Sequence, residues 1–126
     1  MAMLHVYWAA GGQSGKLAAV PSVDGRPLFN PSPLGTLLVA AALVVAAVVV
    51  VGAMGWIASP VPASVFRALT YAIALVFVLR AVGDFRYVGF FKSEMESQFA
   101  YWDSLIYSPL CLGIAVGGVL VARWMR

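Results

Sequence analysis

The stretch that decides the fold is LGTLLVAAALVVAAVVVVGAMGWI, residues 34–57. It lies inside a longer run, residues 27–66, in which no side chain is charged. A helix needs about 20 apolar residues, each rising about 1.5 Å, to cross roughly 30 Å of hydrocarbon. Residues 34–57 are long enough, so they predict a membrane-spanning helix rather than the core helix of a soluble protein.

The composition of the whole chain indicates one small membrane domain, residues 1–126. Apolar residues make up 63% of the chain and charged residues 10%, and the mean hydropathy is +0.94. The net charge is +3, but the eight basic residues are dispersed among predicted helix ends and form no patch, which argues against a nucleic-acid partner. Cys111 is the single cysteine, so the sequence excludes an internal disulfide and a Cys-x-x-Cys thiol oxidoreductase.

Two further spans and a partial one can be drawn. Residues 104–122 are uncharged and are followed by Arg123 and Arg126 as an interfacial anchor. Residues 64–83 contain two arginines, each near a helix end, where a long side chain can reach the head groups. Residues 1–10 reach only about 15 Å. We expect an all-α integral membrane protein, an up-down bundle of four helices whose first helix is short or truncated; a short helix inserted from one side is the alternative.

Two loops carry most of the polar residues. Residues 11–33 are rich in glycine and proline and should be irregular, whereas residues 84–103 mix aromatic and charged side chains, as is typical of the head-group layer. A short interfacial helix is expected around residues 93–102, with Ser93 and Glu96 as a capping box. Both loops should lie on one side of the membrane, the loop face. The count of basic residues favours a cytoplasmic loop face, but their density in short segments favours a cytoplasmic C-terminus, which we expect.

Polar side chains at four helix ends and in the second loop should gather at the loop face. Removing such groups from water costs several kcal/mol unless something compensates, so they either neutralise one another or serve a ligand. The candidate ligand-binding residues are His5, Tyr7, Trp8, Arg80, Asp84, Arg86, Lys92, Asp103 and Tyr107. No catalytic role follows from these residues.

Four of these candidates have specific expectations. Arg80 and Asp84 are spaced i, i+4 and can pair on one helical face. Asp103 fits an N-cap at the start of the last span, and it is also a possible proton partner for His5. His5 is the single histidine, so no metal site and no cofactor are expected. A hydrogen-bonding role within the bundle and a ligand contact both stay open for it.

Small residues at four-residue spacing predict close helix packing. Gly113 and Gly117 lie in the last span, and Ala68 and Ala72 lie in the third. Such pairs allow two helices to approach closely, either inside one bundle or in a homodimer. Pro109 predicts a bend in the last span, because it cannot donate to the carbonyl of residue 105.

Four blocks of the chain resemble one known family. They are HVYWAAGG at residues 5–12, LRAVGDFRYVGFFK at 79–92, FAYWD at 99–103 and YSPLC at 107–111. These look like the signature blocks of a bacterial family of small four-helix membrane proteins, the domain of unknown function 3995 family. The resemblance implies four spans, a multi-pass protein of the bacterial inner membrane and no established activity. Family members look to carry a longer apolar segment before the histidine, which implies that this chain starts late.

Two functions of different kinds are compatible with these observations. A polar site at the loop-face end of a bundle could bind a lipid or isoprenoid-like amphiphile, since such a cleft is half apolar and half charged. Alternatively, the protein is a non-enzymatic scaffold or subunit that docks a partner through its small-residue helix faces. Transport is a weaker reading, because so few spans would need an oligomer to enclose a pathway.

Overall fold

The computed structural model describes residues 1–124, so Arg126, expected as an anchor, lies outside the described residues. The fold is mostly helical. In chain order the elements are α1 (Ala2–Ala9), α2 (Lys16–Ala19), β1 (Ser22–Val23), β2 (Arg26–Pro27), α3 (Pro33–Ala53), α4 (Ala63–Val82), α5 (Gln98–Trp102), a π-helical segment (Asp103–Tyr107) and α6 (Ser108–Trp124). β1 and β2 form a small antiparallel ribbon, with Ser22 opposite Pro27 and Val23 opposite Arg26.

Three helices are long and apolar enough to cross a membrane. They are α3, α4 and the continuous helix Gln98–Trp124, which contains α5, the π-helical segment and α6. Large apolar side chains such as Leu38 and Val76 are each 63% exposed. In water such surfaces would be a liability, whereas in a bilayer they contact lipid.

The long helices differ from the predicted spans mainly at two ends. The predicted span 34–57 ends early at Ala53, because the chain turns at Gly55 with φ +73°. The last helix begins at Gln98, six residues before the predicted start at residue 104. Its N-cap is Ser97, whose Oγ accepts a hydrogen bond from the Ala100 N–H at 3.0 Å.

Two expectations about that helix start are therefore wrong. Asp103 is not an N-cap, because it lies one and a half turns inside a continuous helix, in α-helical conformation. Ser93 and Glu96 do not form a capping box, because the helix starts later in the chain, at Gln98. Ser97 takes the cap because its hydroxyl is the one that precedes the first helical turn.

The tightest helix contact, between α4 and α6, uses small residues. The buried side chains on this contact are Thr70, Ala74 and Ala81 of α4 and Ser108, Cys111, Ala115 and Ala122 of α6. A Cβ added at Gly118 would lie 3.5 Å from the Ala74 Cβ, so the two backbones approach closely there. Spacings of three and four residues place these positions along one face of each helix.

The small residues predicted to pack are different ones, and that prediction is wrong within this chain. A Cβ added at Gly113 or Gly117 would meet nothing within 4 Å, and Ala68 and Ala72 are exposed. They lie on helix faces turned away from the α4–α6 contact. Each helix carries small residues at four-residue spacing on more than one face, so the spacing alone does not say which face packs.

The remaining contacts place both loops at one end of the molecule. α1 packs on α3, α3 packs on α4, and α2 from the first loop packs on α5 at the end of the second. The end of α1, the start of α3, the end of α4 and the start of α5 therefore share the loop face.

Candidate functional site

A buried carboxylate organises the polar residues between α4 and the last helix. One oxygen of Asp103 accepts from Arg80 Nη2 at 2.9 Å, and the other accepts from Lys92 Nζ at 3.1 Å and from the Gly89 N–H at 2.7 Å. The side chain of Asp103 is fully buried. We call Arg80, Gly89, Lys92, Asp103 and Ser104 the Asp103 cluster.

Lys92 in this cluster has every donor occupied. Its ammonium group donates to the Gly89 carbonyl at 2.9 Å, to the Ser104 hydroxyl at 2.7 Å and to Asp103, and its side chain is fully buried. An ammonium group has three protons, so none remains for a ligand. The geometry makes Lys92 an anchor that ties the second loop to the last helix.

The π-helical segment changes the direction of side chains just before Pro109. The Ser108 N–H donates to the Asp103 carbonyl five residues earlier, which inserts one extra residue into the helical turn. Pro109 was expected to bend this helix; what the structure has there is the widened turn. Among residues 1–124, the buried Ser108 hydroxyl and the buried Arg80 Nη1 have no hydrogen-bond partner.

Asp84 does not pair with Arg80, so the predicted i, i+4 pair is wrong. The helix stops at Val82, and Gly83 takes φ +88°, so Asp84 is outside the helical register. Its Oδ1 instead accepts from the N–H groups of residues 86, 87 and 88 at 3.0, 2.7 and 2.9 Å. Desolvation of the carboxyl group raises its pKa, but these donors outweigh it and hold the pKa of Asp84 below its ordinary value.

Two glycines make this loop possible. Gly83 and Gly89 both have positive φ, at +88° and +90°. A Cβ on Gly83 would collide with the backbone at Val88, and a Cβ on Gly89 would collide with the backbone at Val82 and Gly83. The chain thereby folds back on the end of α4, where the Phe90 N–H donates to the Ala81 carbonyl at 2.8 Å. This approach brings the Gly89 N–H to Asp103.

Two other predicted site residues lie at the edge of the cluster. The guanidinium of Arg86 lies 5.0 Å from the centre of the Tyr87 ring, and Arg86 is exposed. The ring of Tyr107 is half-buried and lies 6.1 Å from that of Phe99. Neither residue donates to Asp103.

His5 and Trp8, two of the predicted site residues on α1, lie away from the cluster. They line a cavity of about 610 Å³ between α1, the first loop and the start of α3. We call it the α1–α3 cavity. Its apolar walls include Ala9, Ala19, Val20, Phe29, Pro31 and Val39. Its polar lining consists of His5, Trp8, Lys16, Asn30, Ser32 and Thr36.

Local hydrogen bonds orient the residues of α1 at this cavity. His5 Nδ1 lies 3.0 Å from the Met1 carbonyl, which can only accept, so Nδ1 carries the proton. The rings of His5 and Trp8 meet edge to face at 5.3 Å, and Trp8 Nε1 donates to the Ser14 carbonyl at 2.9 Å. Tyr7 is exposed and packs against Gly12 rather than lining the cavity.

The expected single polar site is thus two sites. Arg80, Lys92 and Asp103 come together in the Asp103 cluster, while His5 and Trp8 line the α1–α3 cavity. Sequence reasoning missed Lys16 and Asn30, which lie in the glycine- and proline-rich loop. Lys16 and Arg26 are both basic residues of that loop, and nothing in the sequence pattern distinguishes Lys16 or places its side chain at the cavity.

One comparison with known proteins decides the family. A family model described as "Protein of unknown function (DUF3995)" matches residues 1–118. The chain belongs to the DUF3995 family. The match covers both the Asp103 cluster and the α1–α3 cavity, so both sites lie within the family domain.

Neither of the other comparisons gives a match: none of the curated proteins and none of the solved structures is similar to the chain. Chemistry must therefore be argued from the geometry alone. Among residues 1–124, no group of three or more His, Cys, Asp or Glu side chains is placed to hold a metal ion. The two sites offer an internally neutralised carboxylate and an apolar cavity with polar groups at its edge.

Proposed function

We propose that this DUF3995 protein is a multi-pass protein of the bacterial inner membrane that binds an amphiphile, a lipid or isoprenoid-like molecule, in the α1–α3 cavity. In this proposal α1, α3, α4 and α6 form an up-down bundle of four helices, with α1 as the short member. The observation that carries the proposal is the cavity itself, about 610 Å³ at the loop face.

The size and lining of the cavity suit such a ligand. Ligand pockets commonly measure about 300–1,000 Å³ and combine apolar walls with a few polar groups. Here the walls come from Val20, Phe29 and Val39, and the polar groups lie on the first loop and on α1. An amphiphile could place its chain against the walls and its head at the loop, where lipid head groups are found.

The Asp103 cluster supports this function indirectly. It fastens the second loop to the end of α4 and to the last helix, and α2 from the first loop packs on α5 beside it. The first loop, which forms one wall of the α1–α3 cavity, is thereby held against a rigid element. A cavity whose walls are already in place binds a ligand at a smaller entropic cost.

The test fills the cavity and counts the ligand retained. Val39 lines the cavity. Val45 is an exposed residue of the same helix that does not line it. After gentle purification, native mass spectrometry should find a bound amphiphile on the wild type and on the control variant Val45→Trp, but not on Val39→Trp. Equal retention by both tryptophan variants, or no bound amphiphile on the wild type, contradicts the proposal.

A second candidate function, the scaffold, is favoured by the open face of α6. Gly113 and Gly117 have no neighbour within 4 Å of an added Cβ, which leaves room for a helix of another chain. If a second copy packs there, Gly117→Leu should abolish a cross-linked dimer in native membranes, whereas Val116→Leu on the same helix should preserve it. Absence of a dimer in the wild type removes self-association as the use of this face.

A further inference from the structure

We infer that the α1–α3 cavity selects amphiphiles with an anionic head group, such as a phosphate monoester or a carboxylate, and that Lys16 binds that head. The inference rests on the proposed function, because it names the class of ligand for the same cavity.

The first argument is the charge of the lining. Within residues 1–124, Lys16 is the only charged residue that lines the cavity, and no Asp or Glu of these residues lines it. Within residues 1–124 the recorded ion pairs join Arg80 and Lys92 to Asp103, and none involves Lys16. A half-buried lysine with no carboxylate within ion-pairing distance among residues 1–124 attracts an anion and repels a cation.

The second argument is the position of Lys16 within the space. A smaller cavity of about 310 Å³ adjoins the first, and both are lined by Lys16, Phe29 and Asn30. Lys16 and Asn30 therefore lie where the two spaces meet. A head group at this junction would reach both side chains while its chain lies along the apolar walls of the larger space.

The third argument is that the other polar groups are already engaged. Ser32 Oγ accepts from the Gly35 N–H at 3.0 Å, and Trp8 Nε1 donates to the Ser14 carbonyl. His5 donates through Nδ1 to the Met1 carbonyl, so that N–H is not available to a ligand. The ammonium of Lys16 and the amide of Asn30 remain as donors without a partner among the described residues. Donors without acceptors fit an anion.

The experiment compares heads on one chain. The full-length protein in phosphatidylcholine nanodiscs is dialysed to equilibrium against dodecyl phosphate, dodecanoate or dodecanol, with empty nanodiscs as the blank. Both anions should bind at least about tenfold more tightly than dodecanol, because a charge-assisted hydrogen bond contributes more than a neutral one. Dodecyl phosphate and dodecanoate then distinguish a phosphate from a carboxylate head.

Variants assign the preference to Lys16. Lys16→Gln should remove the preference for anions while dodecanol binding is unchanged, and Lys16→Arg should keep it. Arg26→Gln, which removes a positive charge from an exposed position of the same loop outside the cavity, should also keep it. Circular dichroism verifies that each variant is folded, and if Lys16→Gln is not, loss of the preference at high salt replaces it as the test.

The possible failures are distinguishable. Equal affinity for dodecanol and the anions, or an anion preference that survives Lys16→Gln, overturns the inference and leaves amphiphile binding standing. If none of the three probes binds above the blank, the proposed function itself is overturned.

Discussion

The Asp103 cluster and the α1–α3 cavity both contain polar residues at the loop face, yet they differ in whether their lysine side chain has partners within the protein. In the cluster, Lys92 and Asp103 are fully buried, every donor of Lys92 has an acceptor, and Arg80 is paired through Nη2 while its buried Nη1 has no partner among residues 1–124. In the cavity, Lys16 is half-buried, unpaired within residues 1–124 and beside open space. A polar group that is satisfied internally stabilises the fold, whereas one with spare donors next to space is available to a ligand.

The largest effect should come from removing the charge of Asp103. Asp103→Asn leaves Lys92 without its counter-charge in a buried position, and losing one partner of a buried pair commonly costs about 3–5 kcal/mol. We expect a loss of that size in the free energy of unfolding, measured by denaturant titration in detergent. Glu96→Gln, at an exposed position of the second loop, should change it by less than about 0.5 kcal/mol. A small loss for Asp103→Asn would show that the cluster does not hold the fold.

A smaller effect should show which carboxylate, Asp103 or Asp84, is coupled to Arg80 in the free energy of unfolding. In a double-mutant cycle, Arg80→Gln and Asp103→Asn should be non-additive by about 0.5–3 kcal/mol, because their side chains are in contact. Arg80→Gln and Asp84→Asn should add to within about 0.5 kcal/mol, because Asp84 accepts from backbone amides instead. The reverse pattern would restore the i, i+4 pair.

The contribution of Asp84 should depend on pH and be modest, since this residue is exposed. Its pKa in the folded protein lies below the ordinary value of 3.8, so the folded state favours the ionised form. The stabilisation is therefore complete above that value and is lost as the pH falls through the folded pKa. The gap in Tm between wild type and Asp84→Asn should be constant near neutral pH and should narrow in acid. A gap that widens in acid would contradict this sign.

The smallest effect should come from Lys16. Because Lys16 has no ion pair among the described residues, Lys16→Gln should change the free energy of unfolding by less than about 0.5 kcal/mol. The same substitution at Lys92 should cost several times more, since it leaves Asp103 short of a counter-charge. Similar losses at both lysines would erase the distinction between the cluster and the cavity.

The helices that are long and apolar enough to span a membrane could be predicted from the sequence, because a run of apolar residues is a local property. The predicted span 64–83 and the observed helix Ala63–Val82 differ by one residue at each end. The start of the last helix is predicted less well, because residues 98–103 are aromatic and polar and predict a separate short interfacial helix rather than the first turns of the last span. The Ser97 cap extends the helix into that interface.

The site was harder to predict, because its contacts join distant parts of the chain. Arg80 has Asp84 one helical turn away in sequence, but the helix ends between them and the partner is Asp103, 23 residues further on. The sequence places the candidate residues together at the loop face. It does not show that they belong to two separate sites. Lys16 gave no signal, since its place at the cavity depends on how the first loop folds over α3.

By itself, the sequence determined the number of helices that are long and apolar enough to span a membrane and the end of the molecule at which polar groups lie, because each follows from runs of residue types along the chain. Only the tertiary structure decided which charges neutralise one another and which are left beside open space. The physical reason is that the Gly83 and Gly89 turn, the π-helical segment and the packing of α2 on α5 set those distances, and each depends on contacts between elements far apart in the chain.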